Sequence, residues 1–135
     1  MKQILLTILI LTSIQNSYAC ECGSNSLRIE IENSSEIFQA KVIESEKVND
    51  GVIFQFEIQD FWKGRKKNTK QIKTGFGGGD CGVNFEKGKP YIVYSNGKET
   101  NRCRRNSETT KTKDNYKLKY YFSDELKNKS FKSSN

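Results

Sequence analysis

The sequence predicts a mainly β protein: a small, closed or nearly closed antiparallel barrel of five strands, with one or two short flanking helices. Two features predict it, namely short runs in which apolar and polar residues alternate and turn-forming residues between those runs. Alternation gives each strand one face to bury and one to expose. The chain has 135 residues, the size of a single domain.

The clearest pattern is a long hairpin. Alternating runs occupy residues 36–48 and 52–62, and Asn49-Asp50-Gly51 separates them. Asp-Gly tolerates positive φ and therefore favours a tight turn between antiparallel strands. A bulge in the second run is expected before Phe61, which otherwise falls on the polar face.

Three further strands complete the predicted barrel. They lie within residues 70–76, 87–95 and 98–103, and the last follows Asn96-Gly97, a second hairpin signal. Residues 24–34 also alternate, which favours a strand over a short helix.

The chain beyond the predicted barrel is a basic extension, residues 104–135. A helix is expected at about residues 114–127, packed on the barrel. Its candidate apolar contacts are Tyr116, Leu118, Tyr120, Tyr121 and Leu126.

The first 19 residues have the pattern of a secretory signal peptide. Lys2 precedes an apolar run, and Ser17-Tyr18-Ala19 provides the small residues of a cleavage site. The apolar run is too short to span a bilayer, which needs ~20 residues, so no transmembrane segment is expected. Cleavage after Ala19 makes Cys20 the first residue of a secreted, extracellular or periplasmic protein. Lipid attachment at Cys20 is disfavoured because Tyr18 is bulky and no leucine stands at position 17.

The formal net charge is +7, and most of the basic excess follows Lys63. Nucleic acid is not an expected partner of an exported protein, whereas an anionic polysaccharide or membrane headgroups are suitable partners. The alternative is a solvated basic surface. The cations considered for an anionic polymer are Arg102, Arg104, Arg105, Lys111 and Lys113.

The four cysteines, Cys20, Cys22, Cys81 and Cys103, are an even set typical of two disulfides in an oxidising compartment. A Cys20–Cys22 bond is disfavoured because one intervening residue strains the bridge. Two long-range pairings then remain open. A structural zinc site is also disfavoured, because its cysteine pairs are normally two to four residues apart and the chain has no histidine.

Catalytic and cofactor motifs are weak. Residues 77–82 satisfy G-x-G-x-x-G, but no helical pattern follows, as a dinucleotide-binding loop would require. The absence of histidine removes the common base of Ser and Cys hydrolases. We therefore expect a monomeric protein that is not an enzyme, has no cofactor and holds no metal of its own.

An ordered set of motifs resembles the netrin-like module of the tissue inhibitor of metalloproteinases (TIMP) family. It comprises Cys20-Glu21-Cys22, "IFQAKV", "FQFEIQDFWKG", "DCGVNFEKGKPYIVYS" and Cys103, in residues 20–103. The resemblance implies a five-stranded OB-fold barrel in a single-domain, bacterial-type member. It also implies the disulfides Cys20–Cys81 and Cys22–Cys103.

The resemblance further implies inhibition of a zinc metalloendopeptidase. The α-amino nitrogen and carbonyl oxygen of Cys20 would chelate the catalytic zinc of the target, and Glu21 would enter the pocket beside it. The chain departs from the family pattern at Glu21, because a carboxylate in an apolar pocket is costly unless paired. The alternative function is an extracellular binding module for an anionic polymer or a protein, without inhibition.

Overall fold

The computed structural model describes residues 20–132, with side chains described through residue 126, so the signal-peptide prediction for residues 1–19 lies outside it. In the described part of the chain, no helix combines the length and hydropathy needed to cross a bilayer. The elements in chain order are α1 (Leu27–Asn33), β1 (Glu36–Val48), β2 (Gly51–Lys63), β3 (Thr69–Thr74), β4 (Pro90–Ser95), β5 (Ser107–Glu108), a 3-10 turn (Thr109–Lys111) and α2 (Asp114–Lys132).

The five strands form one antiparallel sheet in the order β3-β2-β1-β4-β5, which confirms the predicted mainly β fold. The sheet is not closed into a complete barrel, because β3 and β5 do not pair with each other. A single parallel bridge, Lys73 to Glu99, connects β3 to the segment that follows β4. Next to this bridge, Thr69, Lys70 and Gln71 of β3 line a groove together with residues 96–99.

The β1–β2 hairpin forms at the predicted turn, where Val48 pairs with Gly51. Gly51 has φ +157°, and a Cβ atom there would lie 2.1 Å from the carbonyl oxygen of Thr74, so no other residue fits without a shift. Near the other end, the pairing passes from Ile58 to Asp60 and skips Gln59. The expected bulge before Phe61 is therefore confirmed.

One face of the sheet carries the larger core. Phe85, in the loop before β4, contacts three rings edge-to-face, with centroid distances of 5.2 Å to Phe54, 5.2 Å to Phe56 and 5.0 Å to Tyr91. Each such aromatic pair adds about 0.5–1.5 kcal/mol beyond the burial of its area. The buried members of this core are Phe38, Ala40, Val42, Phe54, Phe56, Ile72, Phe85, Tyr91 and Val93.

A second core lies between the opposite face of the sheet and the two helices. Ile37, Ile92 and Tyr94 of the sheet pack with Ile31 of α1 and Leu118 of α2. These sheet residues alternate along their strands with members of the first core, so a single sheet supports both cores.

The predicted helix at residues 114–127 is present in α2, but most of its expected apolar contacts are wrong. Leu118 is fully buried, whereas Tyr116, Tyr120 and Leu126 are 73%, 71% and 70% exposed and Tyr121 is at the surface. Phe122 packs against the second core with Leu118, because residues four apart lie on the same side of a helix.

The strand expected at residues 24–34 is wrong, because this segment contains α1. The hydroxyl of Ser26 accepts a hydrogen bond from the Ile29 backbone N–H, as an N-cap does. Leu27 and Ile31 are four residues apart and both pack on the second core, while Ile29 is 46% exposed. Capping and packing thus outweigh the alternation of three apolar residues.

The fifth strand was expected at residues 98–103, after a hairpin at Asn96-Gly97, and both predictions are wrong. The Asn96 side chain accepts hydrogen bonds from the backbone N–H groups of Lys98 and Glu99. The resulting turn directs the chain towards β3, where the Lys73 N–H donates to the Lys98 carbonyl. The strand that pairs with β4 is instead β5.

Candidate functional site

Two disulfides fix the N-terminal strip, residues 20–25. Cys20 is bonded to Cys81, with Cα atoms 5.2 Å apart, and Cys22 is bonded to Cys103, with Cα atoms 4.9 Å apart. This is the pairing that the resemblance implies. The bonds connect the strip to two loops that lie 61 and 81 residues further along the chain.

The two disulfides lie against each other. The sulfur of Cys20 is 3.8 Å from that of Cys22 and 3.7 Å from that of Cys103. The sulfurs of Cys20, Cys81 and Cys103 fall within 4.8 Å of one another, a spacing that free thiolates could use to hold a metal ion. All four cysteines are bonded in pairs, and a disulfide sulfur lacks the negative charge of the thiolate that zinc binds.

The strip is exposed along almost its whole length. Cys20 is partly buried, and every residue from Glu21 to Asn25 is exposed. The Glu21 carboxylate makes no hydrogen bond or ion pair with any residue from 20 to 126. The structure thus brings the five predicted site residues together: Cys20, Glu21, Cys22, Cys81 and Cys103.

The loop that holds Cys20 is shaped by Asp80. The cysteine loop, residues 75–82, closes around this carboxylate, which accepts backbone N–H bonds from Phe76 at 2.6 Å, Gly77 at 2.9 Å and Gly82 at 3.0 Å. These bonds, led by those from Gly82 and Phe76, lower the pKa of Asp80 below its ordinary value. Cys81 has φ +58°, a left-handed conformation that few non-glycine residues adopt.

Gly82 is required by the same loop. A Cβ atom at Gly82 would lie 2.3 Å from the backbone of Gly75 and of Gly77, so the loop cannot close around a larger residue. The glycine-rich segment that matches a dinucleotide motif is therefore a tight loop that positions a disulfide. Phe76, in the same loop, is 54% exposed.

We expect Asp80→Asn to loosen the cysteine loop. In this variant the amides of Phe76, Gly77 and Gly82 should exchange with solvent on the order of tenfold faster, because they lose charged acceptors. Hydrogen–deuterium exchange, expressed as protection factors, measures this. Asp50→Asn is the matched control, because Asp50 is also an exposed carboxylate with a lowered pKa, but its partner is Lys73.

The pH dependence of this protection follows from the sign of the pKa shift. A lowered pKa in the folded protein stabilises the loop above the ordinary carboxyl pKa, and the effect is lost as pH falls through the lowered value. Protection in the wild-type loop should fall in that acid range, and Asp80→Asn should show no such step. Equal protection in wild type and Asp80→Asn would contradict the role given to Asp80.

A partly buried ionic network holds the far end of the strip. Arg105 donates two hydrogen bonds of 3.0 Å to the carboxylate of Asp114 and one of 3.0 Å to the carbonyl oxygen of Asn25. The Tyr94 hydroxyl donates to Asp114 from the core side at 3.0 Å. Burial, followed by the charge of Asp114, raises the pKa of Tyr94 far above its ordinary value, so Tyr94 remains a neutral donor.

A second buried pair lies behind the strip. Arg104 donates to the carboxylate of Glu30 at 3.0 Å and to the carbonyl oxygen of Asn33 at 3.2 Å. The Glu30 side chain is fully buried and also accepts a hydrogen bond from the Ser34 hydroxyl. This pair connects α1 to the segment that carries Cys103.

These contacts change the interpretation of the basic extension. Three of the five cations considered for an anionic polymer have acidic partners within the protein: Arg104 with Glu30, Arg105 with Asp114, and Lys111 with Glu108. Glu30, Asn25 and Asp114 also support the site, but no local motif in the sequence marks them. Of the supporting residues, only Asp80 is indicated by the sequence, because an aspartate in a glycine-rich loop commonly accepts hydrogen bonds from nearby backbone N–H groups.

Neither a protein-family model nor a curated protein matches this chain. The functional proposal therefore rests on the disulfides, the exposed strip and the chemistry of its first residue.

Proposed function

We propose that this chain is a secreted TIMP-like inhibitor of zinc metalloendopeptidases, which chelates the catalytic zinc of its target through the α-amino nitrogen and carbonyl oxygen of Cys20. The observation that carries the proposal is the anchorage of Cys20. Its sulfur is bonded to Cys81, while the strip that it begins is exposed to solvent. Cleavage after Ala19 would give this anchored residue a free amine.

The chemistry suits a catalytic zinc ion. Such an ion keeps one coordination position for water, and a chelating amine and carbonyl would displace that water and so remove the nucleophile. An α-amino group has an ordinary pKa of about 8, so enough of it is neutral near pH 7 to coordinate the metal. The thiol is already bonded to Cys81, so the backbone atoms of Cys20 are the ligands. The protein would occupy the active site of the protease as a substrate does, and would not itself act as an enzyme.

The rigidity of the strip supports the same function. Two disulfides fix Cys20 and Cys22, and Arg105 holds the carbonyl oxygen of Asn25. A segment that is ordered before binding loses little conformational entropy in the complex, and each side chain or loop left mobile would reduce affinity. The strip is thus prepared to enter a cleft without rearrangement.

Glu21 restricts the class of target. Its exposed carboxylate has no partner in the described part of the protein and would enter the pocket next to the zinc. Burial of an unpaired carboxylate costs several kcal/mol, so the preferred target has a basic or polar pocket at that position. This requirement separates the proposed target from endopeptidases with a deep apolar pocket.

A comparison of two N-termini tests the proposal. Protein that begins at Cys20 should inhibit members of a panel of zinc endopeptidases chosen to include basic, polar and apolar pockets. Protein with one additional alanine before Cys20 should lose that inhibition, because the amine becomes an amide that cannot chelate. Inhibition constants are measured for both forms under the same conditions.

The melting temperature provides the control. The added alanine should leave it unchanged, because both disulfides remain in place. Equal inhibition by the two forms would show that Cys20 is not the zinc ligand. Absence of inhibition by both forms across the whole panel would reject the proposed function.

A further inference from the structure

A large polar groove lies at the opening between β3 and the turn that follows β4. Its volume is about 1080 Å³, and its walls come from the start of β1, from β2 and β3, from the β2–β3 loop and from residues 96–99. Ligand pockets are typically about 300–1,000 Å³, so this groove can hold a sizeable ligand. It shares no residue with the N-terminal strip or the cysteine loop.

The groove has an excess of positive charge. Arg65, Lys67 and Lys98 line it, and all three are exposed. Their side chains make no ion pair or hydrogen bond with any residue in the described part of the chain. They differ in this respect from Arg104 and Arg105, whose charges are neutralised inside the protein. The three free cations are therefore available to an external anion.

The floor of the groove contains a buried ion pair. Lys70 donates to one carboxylate oxygen of Glu36, and both side chains line the groove. The other oxygen, Oε2 of Glu36, is buried and has no hydrogen-bond partner within residues 20–126. Buried acceptors in proteins are nearly always satisfied, so a hydroxyl donor at this floor would complete the site.

The remaining described lining is polar, and its one further charge is the exposed carboxylate of Glu99, so the cations of the groove outnumber its carboxylates by four to two. The amides of Gln55 and Gln71 can both donate and accept hydrogen bonds, and that of Asn96, whose oxygen already accepts two, can donate. Among the described residues, no aromatic or aliphatic side chain lines the groove, so these residues offer no stacking platform for nucleic-acid bases and no apolar surface for a hydrophobic ligand. This lining suits a ligand with many hydroxyls and several negative charges.

We infer that the groove binds a segment of an anionic polysaccharide. Its carboxylate or sulfate groups pair with Arg65, Lys67 and Lys98, and its hydroxyls bond to the amides and to Glu36. The site gives the protein a second function that is independent of zinc chelation, namely retention on an acidic glycan matrix. The N-terminal strip remains free while the groove is occupied.

Calorimetric titration at low ionic strength tests the inference with three oligosaccharides of equal length: a sulfated one, a uronic-acid one and a neutral one. The protein should bind one or both of the charged chains and not the neutral chain, and binding should weaken as salt is added. The triple variant Arg65→Gln, Lys67→Gln, Lys98→Gln should weaken binding by roughly tenfold or more. Comparison of the two charged chains shows which anion the groove prefers.

The matched control removes the same charge elsewhere. Lys41, Lys47 and Lys87 are exposed, lie outside the groove and have no side-chain partner in the described part of the chain. Their replacement by glutamine should change binding by no more than about twofold. Equal losses in the two triple variants, equal binding of the neutral chain, or no binding of either charged chain would overturn the inference. Because the alanine-extended form should bind the glycan normally, this outcome is separable from that of the inhibition assay.

Discussion

Replacement of Cys22 and Cys103 by serine is expected to lower the free energy of unfolding by about 3 kcal/mol. The Cys20–Cys81 bond remains in the variant, so the loss of the second disulfide restores the conformational freedom of a loop of roughly 25 residues in the unfolded chain. A small protein with modest cores has a low free energy of unfolding, so a loss of this size removes a large share of its stability. Urea denaturation with the wild type and the double variant measures it.

The control for this prediction uses reductant. Addition of dithiothreitol should lower the free energy of unfolding of the wild type by more than it lowers that of the double variant. The wild type loses both disulfides, whereas the variant has only Cys20–Cys81 to lose. A loss below about 1 kcal/mol in the double variant would show that the bond contributes little to stability. Inhibition by the variant, measured at a concentration of urea that leaves it folded, reports separately on the rigidity of the strip.

The second large effect is expected from Arg104→Ala, which should lower the free energy of unfolding by about 3–5 kcal/mol. Arg104 neutralises Glu30, whose side chain is fully buried, while the Arg104 side chain is 22% exposed. The remaining contacts of Glu30, from Ser34 and Asn25, are hydrogen bonds from neutral groups. The variant therefore leaves a buried charge without a counter-ion.

Arg28→Ala is the matched control for this prediction. Arg28 also pairs with a glutamate of α1, Glu32, but their side chains are 80% and 58% exposed. A solvent-exposed pair of this kind is worth about 0.3–0.5 kcal/mol. The double variant Glu30→Gln, Arg104→Ala should recover part of the loss, because no buried charge remains. A similar cost for the two single arginine variants would contradict the importance of the buried pair.

The two arginine pairs illustrate why burial decides the effect of a charge. Both pair an arginine with a glutamate of α1. Both side chains of the first pair are exposed to water, whereas in the second pair the glutamate is fully buried and the arginine is 22% exposed. Coulombic attraction is much stronger at the second position because the local dielectric constant is low, and the penalty for leaving one partner alone is correspondingly higher.

The proposed inhibitory strip and the inferred glycan groove would perform two separate functions, protease inhibition and glycan binding. The strip and cysteine loop form one surface, and the groove is built from different residues of β1, β2, β3 and the 96–99 turn. A protein held on a polysaccharide through the groove would still present Cys20 to a protease. Within the described residues, Arg104 and Arg105 are paired with carboxylates, whereas Arg65, Lys67 and Lys98 of the groove are not.

Local patterns determined much of the fold. The alternation in β1 and β2, the Asp50-Gly51 turn and the bulge at Gln59 were all predictable, because each depends on residues that are neighbours in the chain or face one another across one hairpin. The position of α2 was also predictable from sequence. Its buried face was not, because four of its five candidate apolar residues are exposed at the surface.

The sequence by itself determined the mainly β class, the central hairpin and, through the resemblance, a proposal for Cys20. The tertiary structure decided where the chain turns after β4, which segment becomes β5, and which cations are neutralised. Arg104 and Glu30 are 74 residues apart, and Arg105 and Asn25 are 80 apart. Periodicity and turn chemistry act over a few residues, whereas contacts of this length exist only after the sheet and both disulfides have brought distant segments together.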